Sequence, residues 1–174
     1  MTQVAFGLGG NVGDVRYACA VASDHLSALE YIDADSCQCS SFYSSPALLP
    51  DGAPETWDQP FINQVVLFHA LSSVAHKPER LLRDVKRIEQ LIGRQDRGHW
   101  GPREIDIDII AIDNVHYASG ILTIPHKQAH HRAFVVKPLA EIWPDCVLAN
   151  GSNAKAMLEH RDIMQQICEP VASS

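Results

Sequence analysis

No stretch of this chain approaches the roughly 20 consecutive apolar residues of a spanning helix, and Met1-Thr2-Gln3 opens without the basic-then-apolar pattern of a secretion signal. A cytoplasmic protein without a membrane partner is expected. Basic charge is also scarce. Fourteen Lys and Arg against 21 Asp and Glu leave a formal charge of −7, which argues against a general nucleic-acid or anionic-membrane binder but leaves room for a local basic pocket. There is no C-x₂-C pair: the five cysteines include only the C-x-C of Cys37 and Cys39, so incidental reduced thiols are expected rather than structural zinc. The glycines Gly7, Gly9, Gly10 and Gly13 read G-x-G-G-x-x-G and miss the dinucleotide-binding spacing, which favours a tight turn that a ligand approaches closely. Internal repeats, low-complexity tracts and domain boundaries are lacking as well.

What is present suits one domain over residues 1–174, since 46% hydrophobic and 20% charged residues are ordinary for a soluble globule of 174 residues. Val4 to Leu8 reads as a strand entering the glycine turn. Asp14 can cap a helix from Val15 to about Leu29, where Ala18, Val21, Ala22, Leu26 and Leu29 recur at helical spacing. Residues 36–45 are β-rich. A loop of about fifteen residues through Pro46, Pro50, Pro54 and Pro60 follows, long enough to suggest a lid or binding loop. Phe61 to Ala70 is the clearest central strand.

Pro78 starts a helix whose stripe is Leu81, Leu82, Val85, Ile88, Leu91 and Ile92, with Gly93 as its stop. An arginine- and glycine-containing loop spans 94–104, then a strand runs from Ile105 to about Ile112, with Asn114 turning it toward a short hairpin partner. Residues 132–142 suggest another helix, stopped before Pro144, and 152–168 a helical tail with frayed last residues. The order strand, helix, strand, loop, strand, helix, strand is that of an α+β ferredoxin-like sandwich, a largely antiparallel sheet flanked by helices.

The most informative dozen is His-Trp-Gly-Pro-Arg-Glu-Ile-Asp-Ile-Asp-Ile-Ile at 99–110. Strand side chains alternate, so Asp106 and Asp108 share a face with α-carbons roughly 6.5 Å apart, while Ile105, Ile107 and Ile109 point into the core. Two adjacent carboxylates repel, and a hard cation such as Mg²⁺ is their natural partner. Arg94, Arg97 and Arg103 nearby form a positive wall for phosphates. A nucleotide–metal complex is the ligand class this implies. The neighbouring histidines His126, His130 and His131 read as a solvated loop rather than as zinc ligands.

With these residues in view, the chain resembles the 6-hydroxymethyl-7,8-dihydropterin pyrophosphokinases of folate biosynthesis over roughly residues 3–148. The resemblance rests on Gly-Leu-Gly-Gly-Asn-Val-Gly-Asp from Gly7, Ser-Phe-Tyr-Ser-Ser-Pro from Ser41, Phe-Ile-Asn-Gln from Phe61 and Ile-Glu-Gln-Leu-Ile-Gly-Arg from Ile88. It continues through Trp-Gly-Pro-Arg-Glu-Ile-Asp-Ile-Asp-Ile from Trp100, Ile-Pro-His from Ile124 and Arg-Ala-Phe-Val-Val-Lys-Pro-Leu from Arg132.

The resemblance implies pyrophosphoryl transfer from ATP to a pterin alcohol, with two Mg²⁺ ions on Asp106 and Asp108 and with Arg94 and Arg103 on the phosphates. ATP contacts would come from Arg94, Arg97, Trp100, Ile109, Thr123, His126 and Arg132, with Glu89 behind them. The pterin would lie among Gly9, Ser45, Pro46, Leu48, Phe61, Asn63, Trp100 and Phe134. The partners implied are small molecules alone, and a monomer is expected. A non-catalytic nucleotide- or pterin-binding protein on the same fold is the alternative, and an RNA-binding ferredoxin-like module a third class, which the acidic balance opposes.

The chain departs from the family pattern at several places. His99 stands where the family commonly has Arg, and the arginine loop is a residue shorter, leaving the match of Arg97 ambiguous. Weaker, more pH-dependent phosphate gripping is the expectation. Gly10 replaces a usual Ser and Phe61 a usual Tyr, both read as tolerable. Residues 149–174 have no clear counterpart and receive no role.

Overall fold

A computed structural model describes residues 1–49, 51–98 and 101–172. In chain order its elements are β1 (Thr2–Gly10), α1 (Val15–Ser27), β2 (Gln38–Cys39), β3 (Tyr43–Ser45), β4 (Phe61–Ala70), α2 (Ser73–His76), α3 (Pro78–Ile92), β5 (Asp106–Ile112), β6 (Tyr117–Ala118), β7 (Thr123–Ile124), α4 (Ala133–Ile142), α5 (Ala154–Met157), α6 (Arg161–Met164) and β8 (Glu169–Pro170). The main sheet runs β5-β1-β4-β3-β8, with β2 also on β4, and every pairing is antiparallel. The α+β, ferredoxin-like expectation holds.

Alternation sorts the central strands into two cores. Val4, Phe6, Leu8, Val66, Phe68, Ile107 and Ile109 face α1 and α3, while Ala5, Val65, Leu67, Ile110 and Ala111 face α4 and the tail helices. The capping signals act as read. Asp14 accepts the Tyr17 amide at 3.0 Å, Pro78 opens α3, and Gly93 closes it in the left-handed region at φ 101°. Leu81, Val85 and Ile88 are buried, each contributing roughly 1.5–3 kcal/mol of transfer free energy. No described helix is long and apolar enough to cross a membrane.

Four expectations need correction. β1 continues past Leu8 to Gly10, because its glycines stay paired with Ile62, Asn63 and Val65 of β4 instead of turning. Leu91 is exposed and outside the buried stripe of α3. Asn114 does turn the chain, with φ 57°, but β6 pairs with β7 in a separate ribbon and not with β5. The tail is two one-turn helices and an edge strand: Ala154, Met157, Ile163 and Cys168 complete the second core, and β8 pairs with β3. The last two residues, expected to fray, lie outside the described set.

Candidate active site

The site is the part of one sheet face that α4 leaves uncovered. On that face Ala5, Gly7 and Gly9 of β1 stand beside Ala111, Asp108 and Asp106 of β5 and beside Leu67, Val65 and Asn63 of β4. Leu67, Ala5 and Ala111 lie under α4 in the second core. The other end, where β1 offers only glycines, opens as a cleft of about 440 Å³. Side chains at Gly7 and Gly9 would enter it. A β-carbon at Gly7 would come within 3.3 Å of Ile110 Cδ1, and one at Gly9 within 2.9 Å of Asn63 Oδ1.

A bulge opposite Ala5 and Phe6 makes Ile110 the extra residue of β5. Alternation keeps Asp106 and Asp108 on the cleft face and buries Ile107 and Ile109 on the other, while the bulge puts both Ile110 and Ala111 in the second core and returns Ile112 to the first. The bulge also serves the site: the Ile110 carbonyl accepts the His126 amide at 2.7 Å, which holds His126 on the cleft wall.

The charges are interlocked. Arg94 Nη1 donates to Asp106 Oδ1 at 2.5 Å and to Glu89 Oε1 at 2.6 Å, and Arg103 Nη1 to Asp106 Oδ2 at 3.0 Å. Burial pushes the Asp106 carboxyl upward, but Arg94 and Arg103 outweigh it and the net direction is down. Asp108 goes the other way: burial and the charge of Asp106 raise it, with Arg132 3.8 Å away as its ion-pair partner. Burial lowers His126, which favours the neutral ring, and its Nδ1 accepts the Gln128 amide at 3.2 Å.

The donor set fits a hard cation. Asp108, whose side chain keeps 39% of its surface open, carries a carboxylate that burial and Asp106 disfavour, and a cation between the two would relieve both. No cluster of three or more His, Cys, Asp or Glu among the described residues can hold a metal. The remaining ligands would have to be substrate oxygens and water, which is how Mg²⁺ is commonly bound.

Asn63 dominates the other end of the cleft. Its Nδ2 donates to Ser45 Oγ at 3.0 Å and the Tyr43 carbonyl at 3.4 Å, so its Oδ1 is oriented as an acceptor above Gly9. Pro46, Leu48, Phe61 and Phe134 complete this slot of apolar walls around a fixed polar edge. The long loop is tied to the end of β1 by Asn11, whose Nδ2 donates to the Gln59 carbonyl at 3.1 Å. Asn11 also clamps the arginine loop. Its amide donates to the Arg103 carbonyl at 3.0 Å, and its Oδ1 accepts the Arg103 amide at 2.9 Å.

The cleft thus brings together Gly9, Ser45, Pro46, Leu48, Phe61, Asn63, Arg94, Arg103, Asp106, Asp108, His126, Arg132 and Phe134. Three expected nucleotide residues lie elsewhere. Ile109 is 3% exposed in the opposite core, where alternation puts it. Thr123, in the β6–β7 ribbon, is not among the residues lining the cleft. Arg97 lines an adjacent cavity and is tied to Glu104 Oε1 at 2.6 Å, an interaction that pulls Glu104 down to about 2. His99 and Trp100 lie outside the described residues.

Gly7, read in the sequence as part of a tight glycine turn, also carries a signal of its place in the cleft, being two before Gly9 as Asp106 is two before Asp108. Asn11, Lys86 and Glu104 carry none, since their partners are far away in the chain or unremarkable as charges.

The family described as 7,8-dihydro-6-hydroxymethylpterin-pyrophosphokinase (HPPK) matches residues 5–144. A 2-amino-4-hydroxy-6-hydroxymethyldihydropteridine pyrophosphokinase of Methylorubrum extorquens is 35% identical over 158 residues, 90% of this chain and 92% of the relative. One of the same name from Synechocystis is 39% identical over 142 residues, 81% of this chain and 66% of that protein. Among solved structures, the HPPK-DHPS chain of Plasmodium falciparum shares the fold with a TM-score of 0.63 at 13% identity. It covers 99% of this chain, which spans about half (48%) of its length. With most of its length matched, this chain belongs to the 7,8-dihydro-6-hydroxymethylpterin-pyrophosphokinase family.

Proposed function

We propose that the chain performs its family's reaction in this cleft, moving a pyrophosphoryl group from ATP to the hydroxymethyl oxygen of 6-hydroxymethyl-7,8-dihydropterin and releasing AMP. The observation that carries the reading is the placement of Asp106 and Asp108 on one strand face, opposite glycines, between an arginine wall and a slot with a fixed amide edge. Such transfer asks a protein mainly to align donor and acceptor and to neutralise charge. Mg²⁺ held by Asp106 and Asp108 would offset phosphate charge and polarise the transferred group.

The side chains divide the remaining work. Arg94 and Arg103 rest on Asp106 and exchange that carboxylate for phosphate oxygens when nucleotide enters. Arg132 extends the positive wall past Asp108, its guanidinium steadied 5.7 Å above the Phe134 ring. Neutral His126 donates a hydrogen bond without adding charge. The Asn63 Oδ1 accepts from the N–H edge of the pterin, and Phe61 and Phe134 supply its walls. All five cysteines are free, which suits the reducing cytoplasm in which we place the reaction.

The test is AMP release by the purified chain given ATP, Mg²⁺ and 6-hydroxymethyl-7,8-dihydropterin. Turnover is expected, with a loss of at least about 100-fold in Asp106→Asn and Asp108→Asn. Tight binding of ATP analogue and pterin by calorimetry, without AMP from the unmodified chain, would refute catalysis and leave a non-catalytic binding protein on the same fold.

A further inference from the structure

Lys86 lies on α3, one turn before Glu89, and no feature of the sequence sets it apart from other surface lysines. Its ammonium donates to both carboxylate oxygens of Glu89, at 3.0 Å each. Glu89 is unusual among the acids of this chain. Its side chain is 3% exposed, and its Oε1 also accepts the Ile107 amide at 2.7 Å and Arg94 Nη1 at 2.6 Å. Glu89 therefore joins α3 to the root of the aspartate strand while holding one of the arginines that face the cleft. Among the described residues, Lys86, half-exposed, and Arg94 are its cationic partners.

Arg94 meets both carboxylates through one atom, Nη1, so a phosphate that draws on that nitrogen competes with Asp106 and Glu89 for it. When its guanidinium turns to an incoming triphosphate, its grip on Glu89 weakens, and an ionised carboxylate at that depth without a counter-ion is costly. We propose that Lys86 is a positioning residue for the transfer reaction: it holds the charge of Glu89 so that Arg94 can exchange carboxylate for phosphate. Lys86 is not among the residues that line the main cleft. It lines the smaller cavity behind the arginine loop, which shares Arg94 and Arg103 with the main cleft. Without it, Glu89 competes harder for Arg94 and nucleotide binds less tightly.

The inference rests on the reading of Arg94 as a phosphate-binding group, and the experiment separates the two. Initial rates are measured against MgATP for the unmodified protein, Lys86→Met, Lys86→Arg, Glu89→Gln, the double variant Lys86→Met/Glu89→Gln and Arg94→Ala, with thermal midpoints recorded alongside. Lys86→Met should raise the KM for ATP about 5- to 20-fold with kcat changed less than about threefold, the effect of one charge-assisted hydrogen bond discounted for partial exposure. The KM for pterin should not move. Lys86→Arg should restore the KM for ATP. The double variant should bind ATP better than Lys86→Met alone, because neutralising Glu89 removes the competition.

An unchanged KM for ATP in Lys86→Met, with Arg94→Ala defective, overturns the role of Lys86. So does a double variant as impaired as the two single effects multiplied. If Arg94→Ala also binds ATP normally, the phosphate-binding reading of Arg94 falls first, and the inference with it.

Discussion

Gly10 offers the sharpest test of how the arginine loop is held. It ends β1 where the loop backbone crosses, and an added β-carbon would lie 2.5 Å from the Glu104 carbonyl oxygen and 3.1 Å from that of Arg103. Both neighbours are backbone, so no side chain can swing aside. Restoring ordinary contact of at least 3.4 Å needs about 1 Å of movement by the loop or the strand end.

That movement strikes the two hydrogen bonds by which Asn11 clamps Arg103, at 2.9 and 3.0 Å. Asn11 is buried, so broken bonds there are not replaced by water. At roughly 1–2 kcal/mol for each buried bond lost, Gly10→Ala and Gly10→Ser should cost about 2–4 kcal/mol in urea unfolding. Displacing Arg103 by about 1 Å should also lower AMP formation on the order of 100-fold. Gly120→Ala is the control, since nothing lies within 4 Å of its added carbon. If Gly10→Ser matched Gly120→Ala in stability and turnover, the loop would be free to yield and the reasoning would fail.

Three further outcomes are expected. Ile163→Ala, in a fully buried position of α6, should cost about 2–5 kcal/mol in urea unfolding; a cost under 1 kcal/mol would show the tail to be loosely attached. Glu104 titrates near 4.5 when unpaired and near 2 beside Arg97, so its contribution is complete above pH 4.5 and fades as pH falls toward 2. Glu104→Gln should therefore be less stable at neutral pH and converge with the unmodified protein near pH 2; a constant gap across that range in pH-dependent thermal melts would contradict this. Asn63→Asp removes the donor to Ser45 and buries a charge, so its KM for pterin should rise at least about tenfold while its KM for ATP stays within about threefold, as read by initial rates.

Much of the site was legible because it is local in the chain. Asp106 and Asp108 share a face by strand alternation, and Pro78 with Gly93 bounds α3 by backbone chemistry that needs no tertiary context. The resemblance then supplied positions scattered from Gly9 to Phe134 that no periodicity connects. Ile109 shows its limit. A match to a family position says nothing of orientation, and alternation, already applied to Ile109 as a core residue, was the better guide to its side chain.

The tail shows a different gap. Residues 152–168 read as one helical tail, yet Ala154, Met157 and Ile163 meet α4 and the sheet at once, and two short turns with an edge strand achieve that. Gly10, read as tolerant, is constrained only because residues 103–104 pass within contact distance of it. Asn11, Lys86 and Glu89 likewise acquire their roles from partners on other elements or from their depth.

The amino-acid sequence by itself determined the antiparallel α+β frame, the paired aspartates and the family, because alternation, capping and motif spacing act over a few residues of chain. Only the tertiary structure decided which arginines face the cleft, which carboxylates hold Arg94 and why Gly10 has no room. Those depend on burial and close approach between segments up to about ninety positions apart, as between Asn11 and Arg103.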